Sequence, residues 1–187
     1  LLLFFLLFSV ACSTEKKYEA CQLKQTDKTL YFPIDPDTKN NFNIYSIYKD
    51  KDGKEYFTFQ NYDNNTIHFH DLKQQKQAFR INPPREGSNG VGRTFGYYIQ
   101  NLDSIYVFSW VEHDLYLINK DCVLLDKQSY PEHNSSCFMA TAAQLPVRLG
   151  RTLYACIEPN RWIEHDRVTV AIDMDTKESK ALPFDYP

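Results

Sequence analysis

A five-residue sequence that occurs twice constrains the fold of this chain more than any other feature. Residues 110–114 read Trp-Val-Glu-His-Asp and residues 162–166 read Trp-Ile-Glu-His-Asp, a separation of 52 residues. Both copies lie between aromatic-rich apolar runs, whose composition favours β-strands over helices. Self-similarity at a period of this size predicts a repeated β unit in which each copy forms an equivalent turn.

Short apolar runs alternate with polar turns along the whole chain, as expected of antiparallel strands. Asp52 and Gly53 separate two such runs in the manner of a β-hairpin. Four short strands per about 45–50 residues is the pattern of a β-propeller blade. We therefore predict an all-β fold, an incomplete β-propeller with about three four-stranded antiparallel blades at residues 41–84, 85–131 and 146–187.

Two further expectations follow from this assignment. Residues 132–144 would form a long connector between the second and third blades. Because a closed propeller typically has about four to eight blades, we expect the native protein to continue after residue 187. A β-sandwich of consecutive meanders is the alternative architecture, since it requires only irregular strand spacing.

The first residues have the pattern of an exported protein. Residues 1–11 are apolar, match the core of a signal peptide in length and are shorter than the ~20 residues of a membrane-spanning helix. Small residues followed by Cys12 resemble a bacterial lipobox, in which the cysteine is lipidated. We expect a truncated signal peptide at 1–11 and a tether at 12–40 that starts with the lipidated Cys12. An ordinary signal peptide with an incidental Cys12 is the alternative.

A family resemblance combines these features. Its residues are Val10, Ala11 and Cys12 of the lipobox, the glycine-rich connector 85–92 and the strand ending 173–187. Together they resemble exported Bacteroidetes lipoproteins of unknown function that carry a six-bladed propeller of the NHL or TolB-like type. The resemblance implies this fold and a location in the cell envelope, and it supplies no catalytic residues. The residue after the lipobox cysteine is not aspartate, which favours the outer membrane, on its periplasmic or its outer side.

Propeller geometry predicts one face on which ligand-binding groups gather. In a four-stranded antiparallel blade, the turn between the second and third strands emerges on the same face as the connector to the next blade. Both Glu-His-Asp turns and the glycine-rich connector would therefore share that face. The predicted ligand-binding residues are Arg85, Arg93, Trp110, Glu112, His113, Arg161, Trp162, Glu164 and His165.

The sequence shows no complete catalytic, cofactor or metal motif. Consecutive Glu, His and Asp residues in a turn point in different directions, whereas metal ligands must converge. His68 and His70 share a strand face and so could bind a metal, but a half-exposed strand face explains them equally. The glycine-rich connector has no Gly-Lys-Ser/Thr ending, so it is not a phosphate-binding P-loop. We predict no catalytic residues, no cofactor and no metal ligands.

Charge and cysteine content restrict the remaining possibilities. The net charge of −3 disfavours a nucleic-acid partner, for which a basic face is expected. Cys21, Cys122, Cys137 and Cys156 allow three disulfide connectivities in an exported chain, although strand-like surroundings favour buried thiols at Cys122 and Cys156.

The resulting functional hypothesis is a membrane-anchored lipoprotein whose propeller binds a protein, peptide or glycan. A metal-dependent, lactonase-like propeller hydrolase with its site in the central channel is the alternative. A purely structural role in an envelope complex is a third reading.

Overall fold

The structure, a computed structural model, describes residues 24–38, 43–110, 113–130, 136–159 and 168–182, and every regular element in these ranges is a β-strand. The first sheet contains β1 (Tyr45–Lys49), β2 (Glu55–Asn61), β3 (Thr66–Asp71) and β4 (Lys76–Ile81). The second contains β5 (Thr94–Asn101), β6 (Ser104–Ser109), β7 (Asp114–Ile118) and β8 (Leu124–Ser129). The third contains β9 (Ser136–Met139), β10 (Val147–Leu149), β11 (Thr152–Pro159), β12 (Val168–Asp173) and β13 (Ser179–Leu182).

Each sheet is an antiparallel meander in which strands adjacent in sequence are hydrogen-bonded neighbours, except that β9 and β10 both pair with β11. Successive side chains of a strand point to opposite faces, so each strand contributes one set of side chains to each face of its sheet. The prediction of an all-β chain built as about three antiparallel blades of an incomplete propeller is confirmed. Among the described residues, no helix has the length and apolarity needed to cross a bilayer.

The third sheet differs from its predicted extent. Its first strand is split into β9 and β10, which pair with different parts of β11 on the same edge. Residues 136–139, expected within a connector, therefore belong to the sheet. The reason is packing, because Phe138 is almost fully buried and its ring lies 5.5 Å from that of Phe108 in the second sheet.

The three sheets pack face to face, with the second sheet in the middle. Ile105 and Val107 of β6 pack with the first sheet, whereas Tyr106 and Phe108 of the same strand pack with the third. Both faces of β6 are therefore buried. A strand buried on both faces needs consecutive apolar residues rather than strict alternation, which explains the unbroken apolar run from residue 105 to 108.

Buried hydrogen bonds fix the register between the first and second sheets. The Gln60 amide nitrogen donates to the Thr94 hydroxyl at 2.7 Å, and the Gln60 amide oxygen accepts from the Gly96 N–H at 2.7 Å. The Tyr97 hydroxyl donates to that of Thr58 at 2.8 Å, and burial raises the pKa of Tyr97 above its ordinary value. Because a buried polar group is costly when unpaired, these bonds favour one alignment of the two sheets.

The first and third sheets share one type of turn, which follows β3 in the first sheet and β12 in the third. Asp71 and Asp173 each accept the N–H groups two and three residues later, at 2.8–3.1 Å. The turn after β7 differs, because Asn119 accepts the N–H groups two and four residues later, at 3.0 Å. Lys54 and Arg151, from the preceding hairpins of their own sheets, each lie 2.9 Å from the matching aspartate.

Candidate ligand-binding face

Three loops meet at one end of the first two sheets, and we call this end the turn face. They are the β2–β3 turn (residues 62–65), the β4–β5 connector (82–93) and the β6–β7 connection, of which the structure describes Trp110 and His113. Their meeting follows from the antiparallel order of each sheet. It agrees with the geometry predicted from the strand pattern.

Asn65 holds the β2–β3 turn against the connector. Its side chain is fully buried, its φ is 62°, and its amide nitrogen donates to the Gly92 carbonyl oxygen at 2.7 Å. The Asn65 amide oxygen accepts from the Thr94 N–H at 3.1 Å. Asparagine tolerates this left-handed backbone better than other non-glycine residues, and its amide supplies both the donor and the acceptor that this position needs.

Arg93 and Trp110 form the most prominent feature of the turn face. The Arg93 guanidinium lies 4.7 Å from the centroid of the Trp110 ring and 6.0 Å from that of Tyr62, within the range of a cation–π interaction. Phe95 packs edge-on against the indole, with ring centroids 4.5 Å apart. The backbone N–H of Trp110 donates to the Arg93 carbonyl oxygen at 2.9 Å. Trp110 remains 37% exposed, so its ring is supported from below and accessible to solvent.

Arg85 extends the same surface. Its guanidinium donates to the carbonyl oxygens of Tyr62 and Asp63 in the β2–β3 turn. The connector that carries it is held by its own backbone, since the Gly92 N–H donates to the Arg85 carbonyl oxygen at 3.2 Å. At the far end of the connector, the Leu124 N–H donates to the Asn89 side-chain oxygen at 3.1 Å. Both arginines are therefore exposed charges on an ordered loop.

His113 occupies the last position of the β6–β7 turn. Its φ is 54°, and its carbonyl oxygen accepts the Tyr130 N–H at 3.2 Å. Its Nδ1 atom is buried with no hydrogen-bond partner among the residues that the structure describes. A backbone hydrogen bond to the residue after β8 thus helps to fix the position of His113.

The structure brings four of the predicted residues to one end of the molecule: Arg85, Arg93, Trp110 and His113. The other predicted positions lie outside the described residues, namely Cys12, Glu112, Arg161, Trp162, Glu164 and His165. Sequence reasoning missed Tyr62 and Phe95, which complete the aromatic surroundings of Arg93. Their contribution depends on contacts between separate blades, which no local sequence pattern reveals.

The sequence pattern suggested that the two strand histidines lie on a half-exposed face, but the structure buries both. His68 is 2% exposed and His70 is fully buried, both on the outer face of the first sheet. Within the described ranges, no three His, Cys, Asp or Glu side chains lie close enough together to hold a metal ion. Cys122 and Cys156 are half-buried thiols, and burial raises the pKa of Cys122, which makes this thiol a weak nucleophile.

Fold comparison shows that this chain is similar to a solved structure. The crystal structure of a DUF4221 family member from Bacteroides vulgatus aligns with 86% of this chain and 48% of its own, at a TM-score of 0.73 and 22% identity. The chain therefore spans about half the length of that protein. At this level of identity the match bears on the fold alone.

Two more distant structures have TM-scores too low to bear on the fold. Dihydro-heme d1 dehydrogenase NirN aligns with 75% of this chain and 28% of its own at 15% identity and a TM-score of 0.40. Hydrazine synthase from Kuenenia stuttgartiensis aligns with 75% and 37% at 12% identity and a TM-score of 0.45. No curated protein matches the chain.

At the level of sequence, residues 20–187 match the family described as Domain of unknown function (DUF4221). Because this match covers nearly the whole chain, the protein belongs to the DUF4221 family.

Proposed function

We propose that this protein is a lipoprotein anchored in the outer membrane, with a six-bladed NHL-like propeller that binds a protein, peptide or glycan. The short apolar start and Cys12 support the anchor. The match to about half of the solved family member supports additional blades.

The observation that carries the binding proposal is the Arg93–Trp110 pair. An exposed indole and an exposed guanidinium lie side by side here, and Trp and Arg are enriched among the residues that dominate binding energy at protein interfaces. The connector is held by its own hydrogen bonds, so these groups lose little conformational entropy when a ligand binds. Trp110 would stack on a sugar ring or an apolar side chain, and Arg93 and Arg85 would donate to carboxylate or carbonyl oxygens.

The proposal is tested by measuring affinities of the full-length protein for panels of purified glycans and peptides. A ligand of the turn face should lose about 10-fold to 30-fold in affinity in Trp110→Ala and in Arg93→Ala, since about 1.4 kcal/mol corresponds to tenfold. Arg151→Ala is the matched control. It removes an exposed arginine at the opposite end of the third sheet, where Arg151 pairs with Asp173.

Two results would overturn the proposal. One is ligand binding that is insensitive to both turn-face variants. The other is a stoichiometric bound metal together with measurable turnover, which would favour the hydrolase instead. The anchor is tested separately by the intact mass of the mature protein, which should carry fatty acyl groups that disappear in Cys12→Ala.

A further inference from the structure

The outer face of the first sheet is covered by a segment that belongs to no sheet. Residues 31–38, which we call the strap, cross this face in an irregular conformation. The Phe32 ring stacks on Phe57 with centroids 5.0 Å apart and meets His70 edge-on at 5.6 Å. The covered face thus consists of aromatic rings and the two histidines of β3.

Few polar contacts hold the strap in place. Asp35 pairs with Arg80 at 2.9 Å, the Asn61 amide donates to the Asp37 carbonyl oxygen at 2.8 Å, and the Tyr31 N–H donates to Gln75 at 2.7 Å. Arg80 is half exposed, so its ion pair adds little to stability. Detaching such a segment costs far less free energy than opening the sheet beneath it.

Under the strap, His70 lacks the hydrogen-bond partners that a charged imidazole requires. Both His70 ring nitrogens are buried and have no hydrogen-bond partner among the described residues. His68 stacks on Phe59 at 4.6 Å, and the two histidine rings lie 6.4 Å apart. Protonation would place two positive charges in an aromatic enclosure, which is unfavourable because buried charges need compensation.

The charged groups around the histidines compensate these charges only in part. The strap contributes Asp35 and β4 contributes Arg80, and these two already pair with each other. The residues of β2 that face the histidines are Phe57 and Phe59, which carry no charge. A hydrogen bond from Thr38 and the nearby positive charges keep the pKa of Asp35 below its ordinary value, so it remains ionised while the histidines titrate.

We propose that the strap is an acid-released cover, which leaves the first sheet when His68 and His70 take up protons. Release lets water solvate the imidazolium groups and uncovers an apolar face that includes Phe57. The sheet itself stays folded, because its opposite face packs on the second sheet. This device operates independently of any ligand at the turn face.

The direction of the pH response follows from burial. Burial lowers the pKa of both histidines below the ordinary value of 6.5, and the Asp35 carboxylate offsets this effect only in part. The closed state is therefore fully favoured above pH 6.5 and loses its advantage as the pH falls through the lowered values. Between pH 6.5 and the lowered pKa values, each histidine that binds a proton on opening increases the equilibrium constant for opening by about tenfold for every unit that the pH falls.

Hydrogen exchange of the full-length protein, corrected for the intrinsic pH dependence of amide exchange, tests the proposal. Between pH 7.5 and pH 5.0, amides of residues 31–38 should lose protection by about tenfold or more per pH unit below 6.5, whereas those of the second sheet keep theirs. The variant His68→Phe/His70→Phe, which keeps aromatic rings at both positions, should abolish the response. His113→Gln is the control and should retain it.

Because phenylalanine is slightly larger than histidine, His70→Gln is a second variant that stays uncharged at every pH and should weaken the response. NMR titration of the wild-type imidazole protons should give midpoints below 6.5 for His68 and His70. Three results would overturn the proposal: unchanged strap protection at pH 5.0, simultaneous loss of protection in all three sheets, or an undiminished response in the double variant.

Discussion

Asp114, the last residue of the first repeated pentapeptide, is a buried carboxylate that stays ionised. Its side chain is 4% exposed and lies 2.8 Å from the Lys127 ammonium, and the Tyr116 hydroxyl donates to it at 3.1 Å. Burial raises the pKa of Asp114, but hydrogen bonds from Lys127, Ser129 and Tyr116 outweigh this effect and lower it overall. The turn motif thus serves the fold of the second sheet through its last residue.

We expect Asp114→Asn to lower the free energy of unfolding by about 1.5–3 kcal/mol, the range for hydrogen bonds to a charged group. Because the folded-state pKa lies below 3.8, the ionised carboxylate stabilises the wild type above that pH, and the contribution disappears as the pH falls through the lowered value. The difference between wild type and variant should therefore shrink in acid. Urea unfolding at several pH values measures it.

Asp121→Asn is the control for this experiment. Asp121 also faces a lysine, Lys120, at 2.9 Å, but its side chain is 66% exposed. Exposed pairs contribute about 0–1 kcal/mol, so this variant should unfold like the wild type. An equal loss of stability in both variants would contradict the role assigned to burial at Asp114.

At the scale of elements, Gly96 sets the distance between the second and third sheets. Its φ is +111°, and a Cβ atom at this position would lie 2.2 Å from the Cβ of Ala140. Residue 140 directly follows β9, the strand that sequence analysis assigned to a connector. The close approach of β5 and this segment therefore requires glycine for two reasons, backbone conformation and space.

We expect Gly96→Ala to destabilise the protein by the cost of a disfavoured backbone, about 1–2 kcal/mol, and by about 1–3 kcal/mol more from overpacking. Gly150→Ala is the matched control, because Gly150 also has a positive φ of +60° but no atom within 4 Å of the added Cβ. It should show the backbone cost alone. Thermal unfolding of both variants separates the two effects, and equal losses would argue against a close contact at Gly96.

At the scale of the whole molecule, the second sheet stabilises both of its neighbours, because it packs against each of them. Phe108 packs toward the third sheet and Ile105 toward the first, although both belong to β6. In stacked repeats, each unit gains most of its stability from the interfaces with its neighbours. Substitutions on opposite faces of one strand should therefore weaken different sheets.

We expect Phe108→Ala to cost about 3–5 kcal/mol and Ile105→Ala about 2–5 kcal/mol, the ranges for large-to-small core substitutions. Hydrogen exchange should show the larger loss of protection in β11 and β12 for Phe108→Ala, and in β2 and β3 for Ile105→Ala. The two variants act as controls for each other. Identical exchange patterns would indicate that the three sheets unfold as a single unit.

The strand pattern was readable from the sequence because it is local. Aromatic and β-branched residues with polar turns between them depend only on neighbours along the chain, and the meander order follows from short loops. The same pattern indicated that Arg85, Arg93 and Trp110 share one end, since that end follows from strand direction alone. The hydrogen bonding shared by the turns after Asp71 and Asp173 was not predicted, because it depends on one capping side chain and the residues that follow differ between the two turns.

By itself the sequence determined the class of fold, the strands of the first two sheets and the end of the molecule on which the turns gather. Only the tertiary structure decided that residues 136–139 join the third sheet, that Tyr62 and Phe95 surround Arg93, and that a strap buries His68 and His70. Each of these depends on contacts between residues far apart in the chain. Such contacts are selected by the packing of whole sheets, which no local pattern of residues records.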